Sequence, residues 1–133
     1  GKFYTYSTIS DGDASMIFTQ IGANDPLFNL RNENAFISRK SRAKSHTFVS
    51  VLEPHGEYNP SKEFTMAATS KITALSHQRD LDIELVEIQI SDVKRYLLAF
   101  STISHVKSNQ VNKFSFNGIE YQFNGRFTFL EIK

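Results

Sequence analysis

The feature that most constrains the fold is a pair of Asn-Gly dipeptides near the end of the chain, Asn117-Gly118 and Asn124-Gly125. Asn-Gly is the preferred pair for two-residue type I′ turns, which join antiparallel strands. The apolar runs that flank these pairs cover 113–116, 119–123 and 126–132. The sequence therefore predicts a C-terminal meander of tight hairpins, in which Phe127, Phe129 and Ile132 pack back on the sheet.

Alternating apolar and polar residues predict strands along most of the remaining chain. These strands are expected at 3–9, 15–21, 35–37, 47–52, 64–76, 81–90 and 96–103. A helix is the less favoured alternative at 64–76, and a change of phase between Leu85 and Val86 indicates a β-bulge. The twelve Phe and five Tyr, with no Trp, also favour strands. We therefore expect residues 1–133 to form a single all-β domain, an antiparallel β-sandwich or two-layer sheet.

Composition and missing motifs exclude several classes of function. The net charge of +1 gives no whole-molecule argument for a nucleic acid or membrane partner. The chain has no cysteine, and its four histidines lack the spacing of a compact metal motif. Gly-x-Ser-x-Gly and Gly-rich phosphate loops are also absent. We expect no metal and no cofactor, and the start at Gly1 suggests a piece of a larger protein.

The segment 45–60 concentrates polar groups after a run that is typical of a buried strand. Glu53, His55, Glu57 and Tyr58 follow that run in what we interpret as a loop. Two prolines stiffen this loop, and its glycine allows a backbone angle that other residues avoid. One interpretation is a rigid corner whose His and Glu side chains hydrogen-bond the backbone. The other is a site where His55 or Tyr58 binds a sugar, since a tyrosine can stack on a ring or donate its hydroxyl.

The segment 31–44 is strongly basic. Its basic residues are Arg31, Arg39, Lys40, Arg42 and Lys44, and Glu33 is its only acid. Arginine offers a planar fork that matches a carboxylate or a phosphate. On a strand, Arg39 and Lys40 would point to opposite faces, so only part of the cluster could line one groove. The cluster is either a solvated loop and edge strand or a contact with an anionic ligand such as an acidic sugar.

The candidate residues for contact with a substrate come from these two segments. They are Arg39, Arg42, Lys44, Glu53, His55 and Tyr58. No residue is predicted to be catalytic.

The run Arg-Ala-Lys-Ser-His-Thr-Phe-Val-Ser-Val-Leu-Glu-Pro-His-Gly-Glu-Tyr at 42–58 resembles the C-terminal β-domain of oligoalginate lyases. These enzymes are polysaccharide lyase family 17, in the heparinase II/III-like superfamily. The segments 18–26 and 28–31 are similar as well, and the resemblance is firmest over 15–60. It implies a parent enzyme with an α/α toroid followed by antiparallel β-sheets. Such an enzyme cleaves uronate-containing polysaccharides by β-elimination.

The resemblance implies that the family's catalytic Asn, His and Tyr, and its metal ligands, lie outside this stretch. We therefore expect a non-catalytic C-terminal β-domain that packs on the catalytic toroid of its own parent chain and shapes the sugar cleft. An acidic polysaccharide is a further candidate partner, whereas nucleic acid and membrane are not. A bacterial periplasmic or secreted location is implied by resemblance alone. The alternatives are a carbohydrate-binding module for acidic polysaccharide and a plain protein-interaction domain.

Overall fold

The computed structural model describes residues 1–10, 12–22, 26 and 32–132. In these residues the regular secondary structure consists of β-strands, so the predicted all-β class is confirmed. The strands are β1 (Lys2–Thr8), β2 (Ala14–Gly22), β3 (Asn32–Lys40), β4 (Ser50–Asn59), β5 (Phe64–Met66), β6 (Ala74–Asp80), β7 (Ile83–Ser91), β8 (Lys94–Ser101), β9 (Val111–Phe116), β10 (Ile119–Asn124) and β11 (Phe127–Ile132). The described part of the chain contains no helix long and apolar enough to cross a membrane.

The chain divides into two compact units. The main unit comprises Gly1–Ile9 and Val49–Lys133, and the inserted unit comprises Ser10–Phe48. The inserted unit contains the antiparallel pair β2 and β3, in which Phe18 lies opposite Phe36. Sequence predictions that rest on residues 11, 23–25 and 27–31 lie outside the described residues.

The core of the main unit lies between a four-stranded sheet and a two-stranded hairpin. The sheet has the strand order β11-β8-β7-β6, and the hairpin is formed by β9 and β10. Both contribute to one buried cluster, which consists of Ile83, Leu85, Leu97, Ala99, Phe114, Phe116, Phe123 and Ile132. The predicted two-layer arrangement is confirmed by this shared core.

Strand β7 does not contain the bulge predicted between Leu85 and Val86. Leu85 pairs with Ala99 and Val86 pairs with Leu98, so the register is continuous there. Both side chains are buried although they point to opposite faces, because β7 is a central strand with a neighbour on each side. A strand buried on both faces gives a run of consecutive apolar residues, which the sequence pattern alone cannot distinguish from a phase change.

The two Asn-Gly pairs play different structural roles. Asn117 and Gly118 have φ values of 52° and 77° and join the paired strands β9 and β10, as predicted for a type I′ turn. After Asn124-Gly125, however, β11 pairs with β8 instead of β10, so the chain crosses to the other sheet. Of the residues expected to pack back, Ile132 is in the core, but Phe127 and Phe129 are 65% and 56% exposed.

The third sheet of the main unit has the strand order β1-β4-β5. The sequence predicted a buried strand at 47–52, but β4 begins only at Ser50 and Leu52 is 62% exposed. The single strand predicted at 64–76 is also wrong, since only Phe64–Met66 and the residues from Ala74 onward are extended. Side-chain hydrogen bonds from β4, described below, hold the intervening segment.

Candidate functional site

Strand β4 carries three of the six candidate residues. The loop predicted from Glu53 onward is wrong, because β4 continues to Asn59. Pro54 is compatible with this strand because it lies opposite Tyr4 of β1, while β5 pairs only with residues from Glu57 onward. The other edge of β4 is therefore unpaired at the proline, which has no N–H to donate.

A β-bulge at Gly56 brings the three candidates on β4 to the same face of the sheet. His55 pairs with Phe3, but Glu57 pairs with Lys2, so Gly56 is an extra residue on β4. Gly56 has a φ of +54°, the left-handed conformation that such bulges require. Neighbouring residues on a strand alternate between faces. The extra residue therefore returns Tyr58 to the face that carries Glu53 and His55, and the sequence analysis missed this bulge.

Both nitrogens of the His55 ring are hydrogen-bonded. Nδ1 lies 2.9 Å from the carbonyl oxygen of Ala67, and Nε2 lies 2.8 Å from Oγ1 of Thr5. A carbonyl oxygen can only accept, so Nδ1 carries the proton and, in the neutral ring, Nε2 accepts from the Thr5 hydroxyl. The ring of Phe3 is stacked at 6.2 Å between centroids. His55 is thus fixed in both its tautomer and its orientation.

Glu53 is bound to the segment that follows β5. Oγ of Ser70 donates to Oε2 at 2.5 Å, and the backbone N–H of Lys71 donates to Oε1 at 3.1 Å. The hydrogen bond from Ser70, followed by the one from Lys71, lowers the pKa of Glu53 below its ordinary value, and the charge of His55 acts in the same direction. Hydrogen bonds to the charged form of a carboxylate favour that form.

Together these contacts hold a segment that we call the strap, residues 67–71, against β4. His55 binds its first residue, and Glu53 binds the side chain of Ser70 and the backbone of Lys71. A Cβ atom at Gly56 would collide with the backbone carbonyls of Met66 and Ala67. The absence of a side chain at Gly56 therefore allows the strap to approach closely enough to bind His55.

Tyr58 is the most exposed of the three candidates on β4, at 41%. Its backbone N–H donates to the carbonyl oxygen of Gly1 at 2.9 Å, and its own carbonyl accepts from the Gly1 amino group at 2.8 Å. These bonds position the backbone of Tyr58 while its side chain remains accessible. The residue before it, Glu57, lies on the opposite face of the sheet, where its Oε2 lies 3.0 Å from Nζ of Lys2.

The other three candidates lie in the inserted unit. Arg39 is in β3 opposite Ser15, and its neighbour Lys40 points to the opposite face, as the alternation predicted. Arg42 follows β3 in a turn with a φ of 55°, and Lys44 lies beyond it. The side chains of all three candidates are exposed. Their assignment to a substrate site stays a prediction, as does that of Glu53, His55 and Tyr58.

A polar cluster on the β6–β7 hairpin was not predicted from the sequence. Glu84 is only 7% exposed, and its carboxylate lies 2.6 Å from Nε2 of His77 and 3.7 Å from Nη1 of Arg79. The alternation with acids predicted a strand at 81–90 but assigned no role to the acids themselves. Recognition of the Leu81-Asp82 turn would have placed Arg79 directly opposite Glu84. Within the described residues, no group of three or more His, Asp or Glu side chains could hold a metal ion.

Comparisons with known proteins agree on one class of enzyme. No protein-family model matches the chain. The chain is 38% identical over 125 residues to an alginate lyase of Stenotrophomonas maltophilia, which covers 94% of this chain and 17% of that protein. It is 34% identical over 115 residues to an exo-oligoalginate lyase of Saccharophagus degradans, which covers 84% of this chain and 15% of that protein.

The chain therefore spans 15–17% of the length of the curated relatives that it matches. Nearly all of it corresponds to one region, of domain size, in alginate-lyase-like proteins.

Proposed function

We propose that residues 1–133 act as one non-catalytic C-terminal β-domain of an alginate-lyase-like enzyme, which packs on the catalytic portion and shapes its sugar cleft. The parent would belong to polysaccharide lyase family 17, in the heparinase II/III-like superfamily, and cleave uronate-containing polysaccharide by β-elimination in the periplasm or outside the cell. The similarity to 15–17% of two alginate lyases supports this assignment.

The use of His55 within the fold is the observation that carries the non-catalytic role. A lyase needs a base with a free lone pair near the proton at C5 of the uronate. Nδ1 of His55 donates to Ala67, and Nε2 is engaged by Thr5. Glu53 is likewise occupied by Ser70 and Lys71. These side chains hydrogen-bond the strap, which supports a structural use of both residues over direct contact with a sugar.

Binding of an acidic polysaccharide is the second candidate function. The rings of Phe18 and Phe36 meet edge to face at 5.1 Å in the inserted unit, and both are more than half exposed. Beside them Gln20 donates to Asn34 at 3.2 Å, and the four side chains line one shallow depression. Aromatic rings beside amide groups suit a sugar, and the basic residues of the same unit suit its carboxylates.

Titration with alginate oligosaccharides tests the two functions against each other. We expect the 133-residue chain to show no amide shifts by NMR at millimolar oligosaccharide. Salt-sensitive shifts at 18–36 or 39–58 would instead support the carbohydrate-binding module, because charge attraction weakens as salt rises. If shifts are seen, Arg42→Gln should reduce them and Lys62→Gln should not. Lys62 is the matched control because it is an exposed cation outside the candidate set.

An ultraviolet assay tests the non-catalytic assignment. We expect the chain alone to form no unsaturated uronate from alginate, whereas the longer parent enzyme, as the positive control, forms it. A rise in absorbance with the chain alone, abolished by Tyr58→Phe, would contradict the assignment and identify Tyr58 as a catalytic group.

A further inference from the structure

The face of the four-stranded sheet that points away from the core carries a group of aromatic side chains on β8 and β11. We call it the aromatic face, and it consists of Tyr96, Phe100, Phe127 and Phe129. Phe127 pairs with Phe100, and Phe129 lies one strand away from Tyr96 on the same face. Leu130 and Ile132, which alternate with these positions on β11, point to the other side of the sheet. Ile132 is part of the core, and Leu130 packs against it.

The aromatic face is exposed to an unusual degree for this kind of side chain. Phe127 and Phe129 are 65% and 56% exposed, and Phe100 is 37% exposed. Strand β11 is the edge strand of its sheet, so the aromatic face extends to an edge with no neighbouring strand among the described residues. A contiguous apolar surface of this kind is typical of an interaction site, because exposing it to water costs free energy.

The geometry of the rings distinguishes a protein partner from a sugar. The C–H groups of a sugar stack on the negatively polarised face of an aromatic ring. Here Tyr96 and Phe129 stack on each other at 5.2 Å with an interplanar angle of 16°, and Nζ of Lys94 lies 5.5 Å from the centre of the Tyr96 ring. Tyr96 is therefore engaged within the sheet, and the most exposed rings are those of Phe127 and Phe129, which have no polar group to bind a sugar hydroxyl.

A second cation borders the aromatic face. The guanidinium of Arg126 lies 5.2 Å from the centre of the Phe100 ring, and the backbone carbonyl of Arg126 accepts from the N–H of Ser101 at 2.8 Å. Stacking and the backbone bond hold Arg126 in place. The aromatic face thus combines an apolar centre with a positioned positive charge at its border. An apolar surface with a carboxylate opposite Arg126 would be complementary to it.

We infer that the aromatic face is the surface on which the remainder of a longer alginate-lyase-like chain packs. This inference rests on the proposed function and specifies the contact surface. The relatives extend over a length of which this chain matches only 15–17%, so each contains a large covalently attached partner. A partner in the same chain is present at high effective concentration, so an interface of modest area suffices to hold it.

Photo-crosslinking in the longer parent chain tests the inference. A benzophenone-bearing phenylalanine replaces Phe127, and mass spectrometry maps its crosslinks. The same probe at Phe64, Leu81 and Ile119 provides matched controls, because these exposed apolar residues lie away from the aromatic face on other strands or turns. We expect the probe at position 127 to form intramolecular crosslinks to residues outside the 133, and the control positions to form none.

Other crosslinking results would overturn the inference in distinguishable ways. Crosslinks to the catalytic portion from a control position alone would refute the aromatic face but leave the packing function intact. No crosslinks from any position would refute both. Intermolecular crosslinks at position 127 would indicate that the partner is a second copy of the chain. Loss of the crosslinks at position 127 when alginate oligosaccharides are added would indicate that the partner is a sugar.

A pair of variants gives a second, independent measurement. Phe127→Glu should lower the Tm of the longer chain by more than that of the 133-residue chain, whereas Phe64→Glu, at a phenylalanine of β5 that is 56% exposed against 65% for Phe127, should change both chains alike. Both side chains are more than half exposed in the 133-residue chain, so either variant should have little effect there. An equal loss in both chains would mean that Phe127 stabilises its own sheet, and would refute the docking role.

Discussion

At the scale of single residues, the structure explains why the sequence around Glu53 looked like a site. The proline ring of Pro54 restricts the backbone there, and Gly56 adopts a positive φ, of +54°, that other residues avoid. Their effect was assigned to a loop because proline and glycine are the usual signals of one. The partners of Glu53 and His55 in the strap lie 12 to 18 residues further along the chain, and Thr5 lies 50 residues before His55, so no local pattern identifies these contacts.

Replacement of Gly56 tests the close approach of the strap. Gly56→Ala should destabilise the protein by more than the about 1–3 kcal/mol of a strained backbone, because its Cβ would also meet the Met66 and Ala67 carbonyls. The control is Gly118→Ala, where φ is +77° and no atom lies within 4 Å of the added Cβ. Urea unfolding gives both values. Equal losses would show that the strap moves aside without cost.

The lowered pKa of Glu53 predicts a pH dependence of stability. A carboxyl whose pKa is lower in the folded state stabilises the fold above its unfolded pKa, and that stability is lost as the pH falls through the folded value. Ser70→Ala removes the largest cause, so the pKa should rise toward 4.5 and the acid-side loss should become smaller. NMR titration of the carboxyls measures the pKa.

Urea midpoints at about pH 6 and about pH 3 measure the corresponding loss of stability. Glu57 is the internal control, because its pKa is lowered by the hydrogen bond from Lys2 and should not respond to Ser70→Ala. An unchanged pKa of Glu53 in the variant would refute the role assigned to the Ser70 hydroxyl.

At the scale of elements, period-two patterns predicted most strands but not how they pair. The positions of β1, β2, β8, β9 and β10 agree with the sequence to within a few residues. Phe127 and Phe129 were misplaced because hydrophobicity shows that a residue favours burial, not which partner buries it. The same limit applies to β7, whose core face is covered by the β9–β10 hairpin further along the chain.

Truncation of Phe114 tests the packing of the β9–β10 hairpin on the four-stranded sheet. Phe114 is 2% exposed and stacks on Tyr121 at 5.2 Å, so Phe114→Ala should cost about 3–5 kcal/mol of unfolding free energy. Phe64→Ala, at a side chain that is 56% exposed, should cost less than about 1 kcal/mol. Equilibrium denaturation compares them. A small loss at Phe114 would mean that the hairpin contributes little to the core.

At the scale of the whole molecule, stability should be distributed unevenly between the two units. The buried residues of the described chain belong to the main unit, whereas the inserted unit has a two-stranded sheet. Two strands alone are marginally stable in water. The composition of the chain gave no sign of this division, because its boundaries carry no linker-like sequence.

Hydrogen exchange measures this distribution. The amides of β7 and β8 should exchange most slowly, because these central strands are paired on both sides and border the core. The amides of β2 and β3 should exchange fastest among the strands. Strands β9 and β10 are the control. They also form a two-stranded sheet, but they contribute Phe114 and Phe123 to the core, so their amides should exchange more slowly than those of β2 and β3. Equal protection of β2 and β7 would mean that both units open together.

The pairing of β1 with β4 has a consequence for how this domain can vary. The chain leaves the main unit at Ile9 and returns at Val49, and the N–H of Ile9 donates to the carbonyl oxygen of Val49 at 3.1 Å. Both junctions thus meet across a single rung of the ladder. The intervening segment could be shortened, lengthened or exchanged for another module without shifting the strands on either side, because loop-closure entropy changes slowly with length. Ile9 and Val49 therefore mark a natural splice point for evolution and for protein engineering.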